Sequence, residues 1–133
     1  MSIDRRQFIQ ASAAALAAGG AALPAFAQAP DAAKIIIGFA PGGTIDLAGR
    51  RVADKLAPSY AKTVIVENRT GAGGQIAAQS VKNAQPDGAN VLLTPTSPMS
   101  LHLFTYKKLP YDPVADFTPV SGAAMFDYAL AVG

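Results

Sequence analysis

Three short apolar runs, rich in β-branched residues, divide the middle of the chain and predict strands. The runs cover residues 34–40, 63–67 and 90–94. In the first run apolar side chains follow one another directly, as they do in a strand whose sheet is covered on both faces. Between the runs, apolar residues recur at every third or fourth position, which is the spacing of an amphipathic helix. This spacing predicts one helix from Thr44 to Pro58 and another from about Gln75 to Ala84.

The order strand, helix, strand, helix, strand predicts an α/β fold with a parallel, Rossmann-like βαβαβ sheet. Right-handed crossovers bring the carboxyl ends of all three strands to one edge of such a sheet. The loops that follow the strands are therefore expected to converge there. They lie at residues 41–44, 68–74 and 95–98. Open sheets of this kind bind ligands at that edge.

The loop after the first strand is the strongest candidate for an anion site. Gly42 and Gly43 permit a tight turn, Thr44 is the predicted N-cap, and Asp46 falls in the first helical turn. The N–H groups of a first turn have no acceptor within the helix, and the helix dipole gives them partial positive charge. These groups suit a small carboxylate. The alternative interpretation is that the glycines only permit tight turns.

The motifs of nucleotide binding and catalysis do not match these loops. The glycines at 71–74 are followed by Gln75 and Ile76, so the dinucleotide fingerprint fails in register. The first loop also lacks the lysine of a phosphate-binding loop. Ser97 lacks the flanking glycines of a nucleophile elbow. We therefore predict no catalytic residue and no cofactor, and expect the hydroxyls of Thr96 and Ser97 to contact a bound carboxylate.

Composition narrows the function further. The 11 Lys and Arg residues and 9 Asp and Glu residues give a net charge of +2 without forming runs. No basic stripe points to nucleic acid. The chain has no cysteine, and its single histidine, His102, has no second ligand at metal-binding spacing. We predict a structural role for His102 and no metal.

The first 27 residues have the three parts of an export signal. Arg5 and Arg6 precede a weakly apolar run at residues 8–23, and Ala25 and Ala27 flank a small-residue cleavage pattern. The paired arginines also resemble the twin-arginine motif. The alternative, a membrane anchor, is disfavoured because the run is shorter than the roughly 20 residues that span a bilayer. We predict a periplasmic protein, cleaved after about Ala27, with a flexible leader at residues 28–33.

Four stretches of the mature chain together resemble a known family. They are residues 39–46, 64–76, 84–88 and 106–120. In order and spacing they are similar to the extracytoplasmic solute receptors of tripartite tricarboxylate transporters, also called the Bug family. The resemblance implies a type II-like periplasmic binding protein whose two lobes close over an organic acid and deliver it to a membrane permease.

The resemblance also implies which residues bind. The ligand carboxylate would be held by the loop after the first strand and by the loop after the third, while the second glycine loop would shape the cleft wall. The implied binding residues are Phe39, Pro41, Gly42, Gly43, Thr44, Asp46, Thr96, Ser97 and Met99, and the cleft-shaping residues are Gly71, Gly73 and Gly74. Ile45 departs from the family pattern because it replaces a small polar residue. The expected ligand is a dicarboxylate, a tricarboxylate or an amino acid.

The resemblance divides the mature chain into one lobe and the start of a crossover. Residues 34–120 would form the first lobe, and residues 121–133 would begin the connection to a second lobe that the sequence does not contain. We interpret the chain as a truncated receptor that would not enclose its ligand alone. Two other hypotheses stay open at this point: a small nucleotide-binding enzyme domain, and a receptor remnant without function.

Overall fold

The computed structural model describes residues 30–57 and 59–126. The predicted export signal and the last seven residues of the predicted crossover lie outside these residues. The strands are β1 (Ala32–Ile37), β2 (Thr63–Asn68) and β3 (Asn90–Leu93). The helices are α1 (Thr44–Leu56), α2 (Gln75–Lys82), α3 (Thr96–Met99) and α4 (His102–Thr105), and a 3-10 turn (Ala72–Gly74) precedes α2.

The three strands form one parallel sheet in the order β2-β1-β3. Lys34 of β1 pairs with Ile65 of β2 on one side and with Asn90 of β3 on the other. The predicted parallel βαβαβ arrangement is confirmed. Because β1 lies between its neighbours, its residues are the most protected, and Ile35, Ile36 and Ile37 are all at most 2% exposed.

Helices cover β1 from both faces of the sheet. Ile35 and Ile37 pack with Ala53 of α1, and a ring of half-buried side chains surrounds this cluster. The alternation of a strand directs Ile36 to the opposite face. On that face, a Cβ placed on the following Gly38 would lie 3.3 Å from the Cβ of Ala77 in α2. The continuous apolar run predicted from the sequence therefore reflects a strand buried on both faces.

Several element ends differ from the predicted ones. β1 begins at Ala32, inside the predicted leader, because Ala32 and Ala33 already pair with the first residues of β2. It ends at Ile37 rather than at position 40, since the chain bends at Gly38 to pass close to Gly74.

The helix start is also shifted by one residue. Gly43, rather than the predicted Thr44, is the N-cap of α1, and its carbonyl accepts the Leu47 N–H at 3.0 Å. Thr44 is therefore the first helical residue. No side chain forms a capping hydrogen bond at this end of the helix.

The end of the described chain contrasts with the sheet. Residues 106–126 contain neither helix nor strand. Tyr111 is the one buried residue of this stretch, whereas Val120 and Met125 are almost fully exposed. Among the described residues, no helix is both long and apolar enough to cross a membrane.

Candidate functional site

The three loops at the carboxyl edge of the sheet meet at Gly74. A Cβ placed on Gly38 would lie only 2.6 Å from the Gly74 Cα. A Cβ on Gly74 would in turn lie 3.3 Å from the Phe39 ring and 3.4 Å from the Pro98 ring. The convergence predicted from the order of elements is therefore present. It falls between β1 and β3, where the connections leave in opposite directions, and such a switch point is the usual ligand crevice of an open α/β sheet.

The loop after β1 presents backbone N–H groups at the start of α1. Pro41, Gly42 and Gly43 are exposed, and Gly42 has a φ of +83°. In the described part of the chain, no acceptor is found for the N–H groups of Gly43, Thr44 and Ile45. A helix start with unpaired donors carries partial positive charge.

Asp46 supports this loop from inside. Its carboxylate is buried and accepts the Gly42 N–H at 2.9 Å and the Asn68 Nδ2 at 2.9 Å. Arg50 donates through Nε at 2.9 Å and through Nη2 at 3.2 Å. The Asn68 amide also donates to the Phe39 carbonyl at 3.0 Å, so one side chain links the loop to the carboxylate.

These bonds keep Asp46 ionised. The Arg50 hydrogen bond is the largest cause, followed by the Gly42 N–H and Asn68, and together they lower the pKa of Asp46 from 3.8 to about 2. Both carboxylate oxygens are already engaged by the protein. Of the residues implied for binding, Asp46 and the Gly42 amide therefore shape the loop from within, and the unpaired donors begin at Gly43.

The loop after β3 is a single helical turn, α3, that carries Thr96, Ser97 and Met99. Its hydroxyl-bearing end opens onto a cavity of about 330 Å³. The cavity is lined by Pro95, Thr96, Ser97, Leu101, Ala124, Met125 and Phe126. At the centre of the turn, Pro98 is fully buried and its carbonyl accepts the Tyr111 hydroxyl at 2.7 Å.

The glycine loop after β2 packs against His102. A Cβ on Gly73 would lie 3.3 Å from the His102 ring, which also meets Tyr106 edge-on with centroids 4.8 Å apart. His102 is buried, and its structural role stays a prediction. The described residues contain no group of three His, Cys, Asp or Glu side chains that could hold a metal ion.

The implied binding residues do not share one cavity. Thr44 lines a groove of about 590 Å³ along the outer side of α1, whereas Thr96 and Ser97 line the smaller cavity. Ala124 borders both. Phe39, through its ring, and Gly71, Gly73 and Gly74 lie at or beside the meeting point of the loops.

Sequence reasoning missed three supporting residues, Arg50, Asn68 and Tyr111. The spacing of four between Asp46 and Arg50 marks a helical ion pair. Asn68 is a polar residue at a strand end, which marks a candidate for loop contacts. Nothing in the local pattern around Tyr111 indicates a partner 13 residues away.

The sequence matches the family model described as tripartite tricarboxylate transporter family receptor over residues 48–133. The chain belongs to this family. The matched part begins within α1 and includes β2, α2, β3 and the segment that carries Tyr111.

Curated relatives of this chain extend the similarity to the loop after β1. Protein BugT of Bordetella pertussis is 36% identical over 109 residues, which are 80% of this chain and 33% of BugT. The UPF0065 protein in the gbd 5'region of Cupriavidus necator is 34% identical over 137 residues, 98% of this chain and 41% of that protein. The chain therefore spans less than half the length of these two relatives.

A solved structure, described as that of a periplasmic transporter, resembles the fold of this chain. The two are 35% identical and superpose with a TM-score of 0.59, over 65% of this chain and 29% of the other. The sheet described above thus corresponds to one lobe of a larger periplasmic binding protein.

Proposed function

We propose that this chain forms the first lobe of a periplasmic receptor that captures a small organic carboxylate for a tripartite tricarboxylate transporter. Membership of the receptor family and the likeness to a solved periplasmic transporter support the location and the solute-binding role. The ligand class is a dicarboxylate, a tricarboxylate or an amino acid, delivered to the membrane permease of the transporter. A receptor of this kind needs no enzymatic step.

The observation that carries the proposal is the set of unpaired amides at the start of α1. Gly43 and Thr44 are exposed there, and no acceptor in the described chain takes their N–H groups. A carboxylate offers acceptor lone pairs only, so it complements a surface of donors. The helix dipole adds to the attraction.

The buried charge of Asp46 does not oppose an anion at this position. Arg50 pairs with it at 2.9 Å, and Asn68 and the Gly42 amide donate to it as well. Because the ion pair is nearly neutral as a unit, the exposed donors keep their attraction for a second carboxylate.

The remaining implied residues would complete the contact. Thr96 and Ser97 line the cavity beside α3, and their hydroxyls would supply adaptable hydrogen bonds. We propose that the other residues act as walls of the crevice. These are Phe39, Pro41 and Met99, with Gly71, Gly73 and Gly74 shaping the opposite side.

Titration calorimetry on a hybrid receptor tests the proposal. In the hybrid, residues 30–126 of this chain replace the matching residues of BugT, so that a complete second lobe is present. We expect the hybrid to bind at least one of succinate, citrate and glutamate, and the 133-residue chain alone to bind it more weakly, because a single lobe leaves the ligand exposed. Binding of ATP without binding of any carboxylate would favour the nucleotide hypothesis and overturn this one.

A substitution at Gly43 tests the role of the amides. A Cβ at Gly43 would meet only the Ala40 carbonyl oxygen, at 3.5 Å, so Gly43→Val is expected to fold and to cover the donors. In the hybrid receptor, Gly43→Val should raise the dissociation constant for the carboxylate at least about tenfold, which is a loss of about 1.4 kcal/mol in binding free energy. The matched control is Gly122→Val, whose Cβ would have nothing within 4 Å. Equal affinity in both variants would contradict binding through these amides.

A further inference from the structure

Tyr111 stands out in the irregular stretch after α4 because it is only 4% exposed. Its ring meets the Phe117 ring edge-on, with centroids 5.8 Å apart and an interplanar angle of 86°. Its hydroxyl donates to the Pro98 carbonyl at 2.7 Å. The side chain therefore reaches from a segment outside the sheet to the centre of α3.

The turn that Tyr111 contacts is too short to be rigid by itself. α3 has four residues, well below the length at which an isolated helix is stable in water. The Ser100 N–H and the Ser100 hydroxyl both donate to the Thr96 carbonyl, so these contacts stay within the turn and its cap. Tyr111 adds a hydrogen bond from another segment, to a carbonyl at the centre of the turn.

Tyr111 belongs to a segment, residues 110–117, that we name the clasp. The other residues of the clasp hold Tyr111 in place. Asp112 accepts the N–H groups of Val114 and Ala115 at 2.8 and 3.0 Å, which closes a tight turn. Asp116 accepts the Asp112 N–H at 2.6 Å and pairs with Lys82 of α2 at 2.8 Å. The clasp is thus anchored to α2 while its tyrosine holds α3.

We propose that Tyr111 is a positioning residue of the receptor: its hydroxyl fixes the Pro98 carbonyl and thereby orients the Thr96 and Ser97 hydroxyls toward the crevice. The assignment of those hydroxyls to ligand contact rests on the proposed function. The orientation itself rests on the contacts of Tyr111 with the turn. The clasp lies within residues 106–120, one of the four stretches that carry the family resemblance. Its proposed role is to hold α3 at the carboxyl edge of the sheet.

Amide hydrogen exchange in the 133-residue chain tests the orientation. The Ser100 N–H closes α3 on the Thr96 carbonyl, and the Leu47 N–H closes α1 on the Gly43 carbonyl, both at 3.0 Å. In Tyr111→Phe, the loss of one hydrogen bond should raise the exchange rate at Ser100 about two- to tenfold relative to the rate at Leu47. A purely global loss of stability would raise both rates equally, and an unchanged ratio would overturn the proposal.

The chain offers a matched control with the same chemistry. The Tyr60 hydroxyl donates to the Gly88 carbonyl at 2.7 Å, just before β3 and so at the opposite edge of the sheet. Tyr60→Phe should leave the ratio of the two exchange rates as in the unsubstituted chain. An equal increase in both variants would overturn the proposal.

A second variant covers the case in which Tyr111→Phe does not fold. Asp116→Asn keeps Tyr111 but weakens the pairing of the clasp with Lys82. It should raise the Ser100 exchange rate relative to Leu47 by a smaller factor. If it leaves the ratio unchanged, the clasp does not hold the turn and the proposal fails.

Titration of the hybrid receptor with succinate and citrate separates this inference from the proposed function. Tyr111→Phe should weaken binding, and Tyr60→Phe should not. If the unsubstituted hybrid binds neither acid, the proposed function fails for these ligands, while the exchange ratio still decides whether Tyr111 positions the turn. Unaltered affinity together with a loosened turn would overturn the role in ligand contact.

Discussion

The loops that follow β1 and β3 at the same edge of the sheet are stabilised in different ways. The loop after β1 is held from below by a buried carboxylate that gathers four donor contacts, two of them from one arginine. The turn after β3 is held from the side by a neutral hydrogen bond from Tyr111. One loop therefore depends on charge, and the other depends on the placement of a ring.

The difference matters because buried charge networks and single neutral bonds fail differently. Removal of one donor from a buried carboxylate leaves an acceptor unpaired, which costs more than the mean value of a hydrogen bond. A neutral bond to a carbonyl contributes about 1 kcal/mol and yields to small movements. We expect the loop after β1 to be preformed in the absence of ligand, and the turn after β3 to be the more adjustable side.

The largest effect is expected at Gly74 of the glycine loop after β2, because Phe39 and Pro98 of the two compared loops both pass close to it. In Gly38→Ala the new Cβ would lie 2.6 Å from the Gly74 Cα, a backbone atom that cannot turn away. Overpacking of this kind costs about 3 kcal/mol, at the upper end of its usual range. Urea unfolding of the chain measures it. Gly122→Ala, whose Cβ would have nothing within 4 Å, is the control and should change the free energy of unfolding by less than about 0.5 kcal/mol, as surface substitutions do.

The next largest effect is expected from a substitution that disturbs only the charged network under the loop after β1. Asn68→Ala removes the amide that donates to both Asp46 and the Phe39 carbonyl. The unpaired acceptors should lower the free energy of unfolding by about 1–3 kcal/mol. Arg69→Ala, which breaks the exposed pair with Glu67, is the neighbouring control and should cost less than about 1 kcal/mol. An equal cost for both variants would show that the Asp46 network stabilises the fold no more than an exposed ion pair does.

Acid should weaken the loop after β1, which depends on the charge of Asp46, more than the turn after β3. The pKa of Asp46 falls from 3.8 to about 2 in the folded chain, so the stabilisation is complete above about pH 4 and is lost as the pH falls toward 2. Asp46→Asn should be less stable than the unsubstituted chain at pH 7 and should lose less stability over that acid range. Thermal unfolding measured at half-unit steps gives both curves. Parallel curves would show that Asp46 does not carry this dependence.

The smallest effect is expected at an exposed ion pair, which shows how little a surface charge pair contributes to stability. Lys62 and Asp31 pair at 2.6 Å, but both side chains are more than four-fifths exposed. Solvent screens such a pair, so Lys62→Ala should change the free energy of unfolding by less than about 0.5 kcal/mol. Chemical denaturation at low and at high salt measures it. A cost as large as that of Asn68→Ala would mean that burial is not what distinguishes the Asp46 network.

Local sequence pattern predicted the sheet because β1 is buried on both faces and each crossover has helical spacing. The same pattern placed Gly42, Gly43 and Thr44 at a helix start, within one residue of the observed N-cap. It did not reveal that the Gly42 amide is taken by Asp46. The reason is that a carboxylate in a first helical turn is explained equally well by the dipole alone.

Contacts between distant segments were beyond the reach of periodicity. Asn68 reaches a carbonyl 29 positions earlier, and Tyr111 reaches one 13 positions earlier. Neither interaction follows a helical or strand repeat, so only the folded chain brings the partners together. The start of β1 at Ala32 has the same origin, because two alanines carry little strand preference and are recruited by pairing with β2.

The central position of β1 has a consequence for the two strands beside it. Within the described residues, β2 and β3 each pair on one side only, so each leaves a row of backbone donors and acceptors without a ladder partner. Such rows are templates on which a strand from another molecule can add. Self-association of this chain should therefore rise with concentration, and light scattering across a dilution series would set the working range for the measurements above.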